Sequence, residues 1–208
     1  MERKEVFFEM LNEEFSKYGF KFVKSKKAFV KRENGNKYAI EYETWPYFFA
    51  IKTHYYSVVK EIEEIKKKAW GDLYRKPYFG TFGTVRQEIK KTDTLEKTLK
   101  VANEEIEFFH KFLLRYFENS TNYAYLDKLL NTEPGSKLDF AYSPVQTFFV
   151  SIIVGKLANN PKIEDLYILY RRLTYKYIAS DKRYSTQKLT DETMKKYDLL
   201  VNYLKNMK

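Results

Sequence analysis

Ala28-Phe29-Val30-Lys31-Arg32-Glu33-Asn34-Gly35-Asn36-Lys37-Tyr38-Ala39-Ile40-Glu41-Tyr42 decides the class of this fold. Asn34-Gly35 is the dipeptide that best tolerates positive φ at both centres of a tight hairpin turn, and it sits between two runs of strand-forming residues. Tyr38, Ile40 and Tyr42 alternate with Ala39, Glu41 and Glu43, which predicts one buried and one wet face. Upstream, Phe20–Lys24 reads as a partner strand to Ala28–Arg32 across the polar Ser25-Lys26-Lys27. Downstream, Trp45-Pro46 breaks the run, and Phe49, Ile51, Thr53 and Tyr55 resume it. These pieces form a four-strand antiparallel meander.

A helix precedes the meander. Val6, Phe7, Met10, Leu11 and Phe15 recur at three- and four-residue steps over residues 5–18, and Gly19 supplies the left-handed stop before Phe20. Ser57 is placed as the N-cap of a second helix through Ala69, with Val58, Ile62, Ile65 and Ala69 inward and Lys66-Lys67-Lys68 in the last turn. Tyr78–Ile89 reads as a fifth strand containing Gly80 and Gly83. Near residue 93 the rhythm changes, and nearly everything beyond it repeats at helical spacing. Leu95, Leu99, Ala102, Ile106, Phe109, Leu113 and Tyr116 step 4-3-4-3-4-3 along one long core helix. Helices then follow at Asn122–Leu130, Pro144–Leu157, Ile163–Ile178 and Asp191–Met207. For the last, Thr190 is the cap and Leu189 and Met194 form a staple. On the third of these, Ile163, Leu166, Tyr170, Leu173 and Tyr177 share a face. The predicted class is α+β: an N-terminal helix on a mostly antiparallel sheet over residues 1–92, then a helical half over 93–208, packed as one unit.

Composition narrows the functional classes. The 208 residues include 19 Tyr and 17 Phe, a supply of rings that builds a stable core without cross-links. There is no cysteine, so neither a disulfide framework nor a thiolate zinc site is available. The start of the chain lacks the apolar run of a signal peptide, and Phe148–Val154 is too short to span a bilayer, so a cytoplasmic protein without membrane contact is expected. The formal charge is +10 and the pI near 9.4. That balance fits a polyanionic partner and equally a lysine-rich solvated surface.

The residues that carry chemistry do not assemble into a catalytic pattern. His54 and His110 lack the companions of a nucleophilic triad. Asp72 with Glu88-Ile89-Lys90 echoes a metal-dependent nuclease, but Glu2-Arg3-Lys4 and Glu64-Ile65-Lys66 match the tripeptide as well. Gly80-Thr81-Phe82-Gly83 lacks the lysine and following helix of a phosphate loop. No catalytic, cofactor or metal residue is therefore assigned. Lys76-Pro77-Tyr78-Phe79-Gly80-Thr81-Phe82 has the basic and aromatic flavour of an RNA-stacking strand, and Lys21, Lys24, Lys26, Lys27, Lys31, Arg32 and Lys37 are placed to follow phosphates. The same lysines also suit a guarded sheet edge.

The segment from Met10-Leu11 through Phe15 to Tyr18-Gly19-Phe20-Lys21, then Phe29-Val30-Lys31-Arg32, the Asn34-Gly35 turn and strand Tyr38–Tyr42, resembles the DUF4304-like domains of bacterial polymorphic-toxin immunity proteins. The resemblance spans residues 5–65. It implies a small protein-binding module without catalytic residues, of the immunity or defence type. Immunity proteins against nucleases are often acidic, so the positive charge points to another target. A protein partner is expected, with nucleic acid as the alternative.

Rings are oversupplied between Trp45 and Tyr56, on both parities of one strand. Trp45, Tyr47, Tyr55 and Tyr56, together with Tyr74 and Tyr78, are the expected partner-binding residues, because exposed Tyr and Trp anchor interfaces at low entropic cost. The competing expectation is that the helical half covers these rings.

Overall fold

The computed structural model describes the backbone at residues 2–45, 48–74, 84–90, 92–135, 144–181 and 186–207, and the side chains there except at 45, 48–52 and 84–88. In chain order the elements are α1 (Arg3–Ser16), β1 (Lys21–Val23), β2 (Ala28–Glu33), β3 (Asn36–Trp45), β4 (Phe48–Val58), α2 (Lys60–Trp70), β5 (Thr84–Lys90), α3 (Leu95–Phe108), a π-helical turn (Phe109–Leu113), α4 (Leu114–Glu118), α5 (Tyr123–Asn131), α6 (Pro144–Leu157), α7 (Ile163–Ser180) and α8 (Gln187–Asn206). The class is α+β, as the sequence predicts. Compact packing groups the chain into two units, Met1–Ser57 with Phe82–Asn119, and Val58–Thr81 with Ser120–Lys208. The grouping cuts across residue 93: α3 belongs with the sheet, and α2 belongs with the later helices.

The first unit holds α1, the sheet, α3, the π turn and α4. Strand order is β1-β2-β3-β4-β5. Phe22 faces Phe29 and Phe29 faces Ile40 across antiparallel pairs. Asn34 and Gly35 both take positive φ, at 51° and 82°, so the hairpin turn forms as its two residues dictate. Gly19 sits at φ 84°, and the Phe20 amide donates to the Phe15 carbonyl at 3.2 Å, closing α1 as predicted. One sheet face is an aromatic layer. Phe15 of α1 lies 4.5 Å from Phe109 between ring centroids and 5.0 Å from Phe29, edge-on to the latter.

Two expectations for the helices change. The buried stripe on α3 is Thr98, Ala102 and Glu105, continuing through Phe109, Leu113 and Tyr116, while Leu95 is 49% exposed. The wider π turn advances the helix by less angle per residue, so apolar positions on either side of it are out of phase. Ser57 does not cap α2; it lies in β4, where its hydroxyl shares a 2.9 Å hydrogen bond with that of Tyr116, and Val59 precedes the helix.

The second unit holds α2, α5, α6, α7 and α8. Helix α6 is its centre: Val145, Phe148, Phe149, Ile152, Ile153 and Val154 are all buried, so the helix is apolar all round. Trp70 at the end of α2 packs edge-on against Phe149 and donates its indole N–H to the Lys196 carbonyl at 2.9 Å. Asn131 donates to the Ser151 carbonyl, and the Tyr170 hydroxyl donates to Asn131 Oδ1 at 2.8 Å, tying α5, α6 and α7. Helix α8 starts four residues earlier than predicted, capped by Thr186, whose hydroxyl accepts from the Leu189 amide. No described helix is long and apolar enough to cross a membrane.

One buried hydroxyl in this unit, Thr174 Oγ1, has no hydrogen-bond partner among the described residues. Replacing it by a methyl removes an unpaired polar atom without changing volume, so Thr174→Val is expected to raise stability by about 1 kcal/mol in a urea titration.

Candidate protein-binding site

Of the six expected anchors, the structure describes the side chains of Tyr55 and Tyr56 in the first unit and of Tyr74 in the second. Tyr55 and Tyr56, adjacent on β4, are 3% and 4% exposed, so neither offers the exposed ring on which its reading as an anchor rested. Tyr55 enters the aromatic layer against Phe108 and Phe112, and burial pushes its phenol up to about 12. Tyr56 points to the opposite face. Its hydroxyl accepts from Lys37 Nζ at 2.8 Å and donates to Glu41 at 3.3 Å. Burial of consecutive residues is what a strand covered on both faces requires. Tyr74 is half-buried beside Trp70, with its hydroxyl donating to Glu63 at 3.1 Å. Burial, aided by Glu63, raises its phenol to about 12. The Trp45 side chain, Tyr47 and Tyr78 lie outside the described residues, as does the segment 76–82.

Each histidine has a carboxylate within hydrogen-bond distance. His54 Nε2 lies 3.2 Å from Glu43 Oε2 across neighbouring strands. His110 Nε2 lies 2.9 Å from Glu14 Oε1, joining the π turn to α1. Glu14 is held below the usual carboxylate range first by its hydrogen bond from Lys17, then by His110. Asp72 and Glu88 belong to different units. Among the described residues, no group of three His, Asp or Glu is placed to hold a metal ion.

Glu105 is the unexpected polar group. It is 1% exposed on α3, facing the sheet, where it accepts from Thr53 Oγ1 at 2.8 Å and from the Tyr42 hydroxyl at 3.2 Å. Burial pushes its carboxyl up to about 7, against the opposing pull of those two hydrogen bonds.

Exposed apolar side chains lie on α7, next to α8. These helices run antiparallel, joined by Glu164–Lys205 at 2.6 Å, Tyr197 to the Tyr167 carbonyl at 2.7 Å, and a bidentate Arg171–Asp198 pair. Leu166, Tyr170, Thr174 and Ile178 face inward. On the opposite side Ile168 is 69% exposed and Tyr175 is 59% exposed, seven residues apart and hence on one helical face. Arg171 lies between them and reaches Asp198, a wall of an open depression on α8 lined by Asp191, Met194, Lys195, Asp198, Leu199 and Asn202. The sequence signal was available: Ile168 and Tyr175 fall outside the predicted apolar stripe of α7, an apolar pair on a polar side. No family model, curated protein or solved structure matches this chain.

Proposed function

We propose that this protein is a non-catalytic protein-binding module, of the immunity or defence type and working in the bacterial cytoplasm. The observation that carries the reading is the exposed pair Ile168 and Tyr175 beside the open depression on α8. Exposing an isoleucine and a tyrosine on one helix face costs solvation that a protein partner recovers, and tyrosine is among the residues that dominate interface energies. The immunity or defence class, and with it the bacterial cytoplasm, comes from the resemblance of residues 5–65.

Nucleic-acid binding is the second reading, favoured by Lys21, Lys24, Lys26 and Arg32, which are exposed and without an ion pair among the described residues. Three of the seven lysines and arginines expected to follow phosphates are otherwise engaged: Lys27 on Thr44, Lys31 on Glu33 and Lys37 on Tyr56. The sheet unit carries 18 Lys and Arg against 15 Asp and Glu, whereas the helical unit carries 20 against 13. The charge excess therefore lies mainly away from the basic hairpin.

Affinity capture with the full chain, with and without nuclease, tests the choice. The expected result is a retained protein that survives nuclease and falls about tenfold with Ile168→Ser plus Tyr175→Ser. Release of all bound material by nuclease would replace this reading with the nucleic-acid one.

A further inference from the structure

Resting on the protein-binding reading, we infer that the α7–α8 face takes an acidic amphipathic helix of its partner, apolar side chains in the depression and carboxylates on the flanks. The two carboxylates at the depression already have partners: Asp198 is paired with Arg171, and Asp191 accepts from Gln187 Nε2 at 2.7 Å. The cations nearby do not. Arg172 and Lys176, beside Tyr175 on α7, and Lys195, at the depression, make no ion pair or side-chain hydrogen bond among the described residues. Lys196 and Lys205, on the same pair of helices, are answered by Glu192 and Glu164. Asp165, on the same side of α7 as Ile168, makes no ion pair among the described residues, so the unanswered charge at this face is net positive, and the antiparallel register set by Glu164–Lys205 and Arg171–Asp198 brings Tyr175 level with Met194.

The apolar side chains Ile168, Tyr175, Met194 and Leu199, set among the cations Arg172, Lys176 and Lys195 and the neutralised Arg171–Asp198 pair, complement a helix with an apolar ridge and acidic flanks. Other occupants fit less well. Phosphates would answer the cations but leave Ile168, Met194 and Leu199 uncovered. A second copy would bring together faces of units that each carry 20 cations against 13 anions.

The test is fluorescence anisotropy of the full chain with a labelled synthetic peptide carrying leucines on one helical stripe and glutamates on both flanks. A scrambled peptide of the same composition, a lysine-for-glutamate peptide, anionic vesicles and single-stranded DNA are the comparison probes. Saturable binding is expected for the acidic helical peptide alone, about tenfold weaker with Ile168→Asp or Tyr175→Asp. It is expected to weaken similarly with Arg172→Glu plus Lys176→Glu, and that variant is expected to gain affinity for the lysine peptide. Melting curves matching the wild type are expected for these exposed substitutions and check that the fold is intact. Equal binding of the scrambled peptide, unchanged binding by the variants, or preference for vesicles or DNA overturns the inference. A partner protein still captured by the Ile168→Asp, Tyr175→Asp chain would overturn this surface while leaving the protein-binding reading standing.

Discussion

Raising the pH from 5 to 8 is expected to destabilise the sheet unit, and Glu105→Gln is expected to abolish that loss. Burial disfavours the charge of the folded carboxyl and pushes it up to about 7, from an ordinary 4.5. Below pH 4.5 the group is neutral in both states and its contribution is fully present. As pH rises, the unfolded chain releases its proton first, so stability falls until the folded carboxyl has also ionised near pH 7. The difference corresponds to about 3 kcal/mol. Glutamine keeps the neutral shape, and the hydroxyls of Thr53 and Tyr42 can each accept or donate, so the variant gains most above pH 7. Amide hydrogen exchange across α3 and β3 at pH 5 and pH 8 reads the effect within this unit. A wild-type profile that is flat between those values, or Glu105→Gln unfolding with the same pH slope, would show that the carboxyl ionises without penalty. Glu105→Ala is expected to destabilise at every pH, because it leaves two buried hydroxyls without their acceptor.

The larger effect is expected from Phe109→Ala, a loss of about 4 kcal/mol. Phe109 is fully buried in the π turn, where its ring meets Phe15 at 4.5 Å, Tyr18 at 5.3 Å and Phe20 at 5.8 Å. It therefore joins the end of α1, the chain entering β1 and the long helix at one point. Truncation removes the ring's transfer energy and leaves a cavity walled by other rings, which cannot collapse without leaving their own rotamers. Phe109→Leu refills much of that volume and is expected to cost less than half as much. Urea unfolding followed by aromatic circular dichroism measures both. Equal midpoints for the alanine variant and the wild type would show that the aromatic layer tolerates the loss.

The sheet was legible because its local chemistry agrees with its tertiary role. Asn34-Gly35 demands a backbone that few other dipeptides accept, Gly19 demands another, and Tyr38, Ile40 and Tyr42 alternate as a half-buried strand must. Helix α6 was legible for a similar reason, starting at Pro144 and staying mainly apolar through Val154. The candidate site was not. Tyr55 and Tyr56 both carry the signature of an anchor, and parity alone does not reveal that β4 is covered on both faces. Glu105 is not legible because a pattern of apolar residues assigns every acid to the outside, and the π turn moves the buried stripe one residue away from Ile106. Ile168 and Tyr175 are masked in the sequence by the stripe of five apolar residues on α7, which is sufficient to explain the helix.

Helix α2 interrupts the strand meander and belongs to the other unit, so the polypeptide passes between units at 57–58, 81–82 and 119–120. Neither unit is a contiguous segment of the gene. On the ribosome, the first four strands emerge before α3 and Phe109, which complete their core, and α2 emerges before α6, which it must meet. Each half of the early product therefore waits, with apolar surface open, for sequence made later, a schedule that favours chaperone contact. It also sets how the molecule can be dissected: a fragment ending at residue 92 would carry the strands without Glu105, Phe109 or Tyr116. Functional work on either unit has to proceed by point substitution in the whole chain.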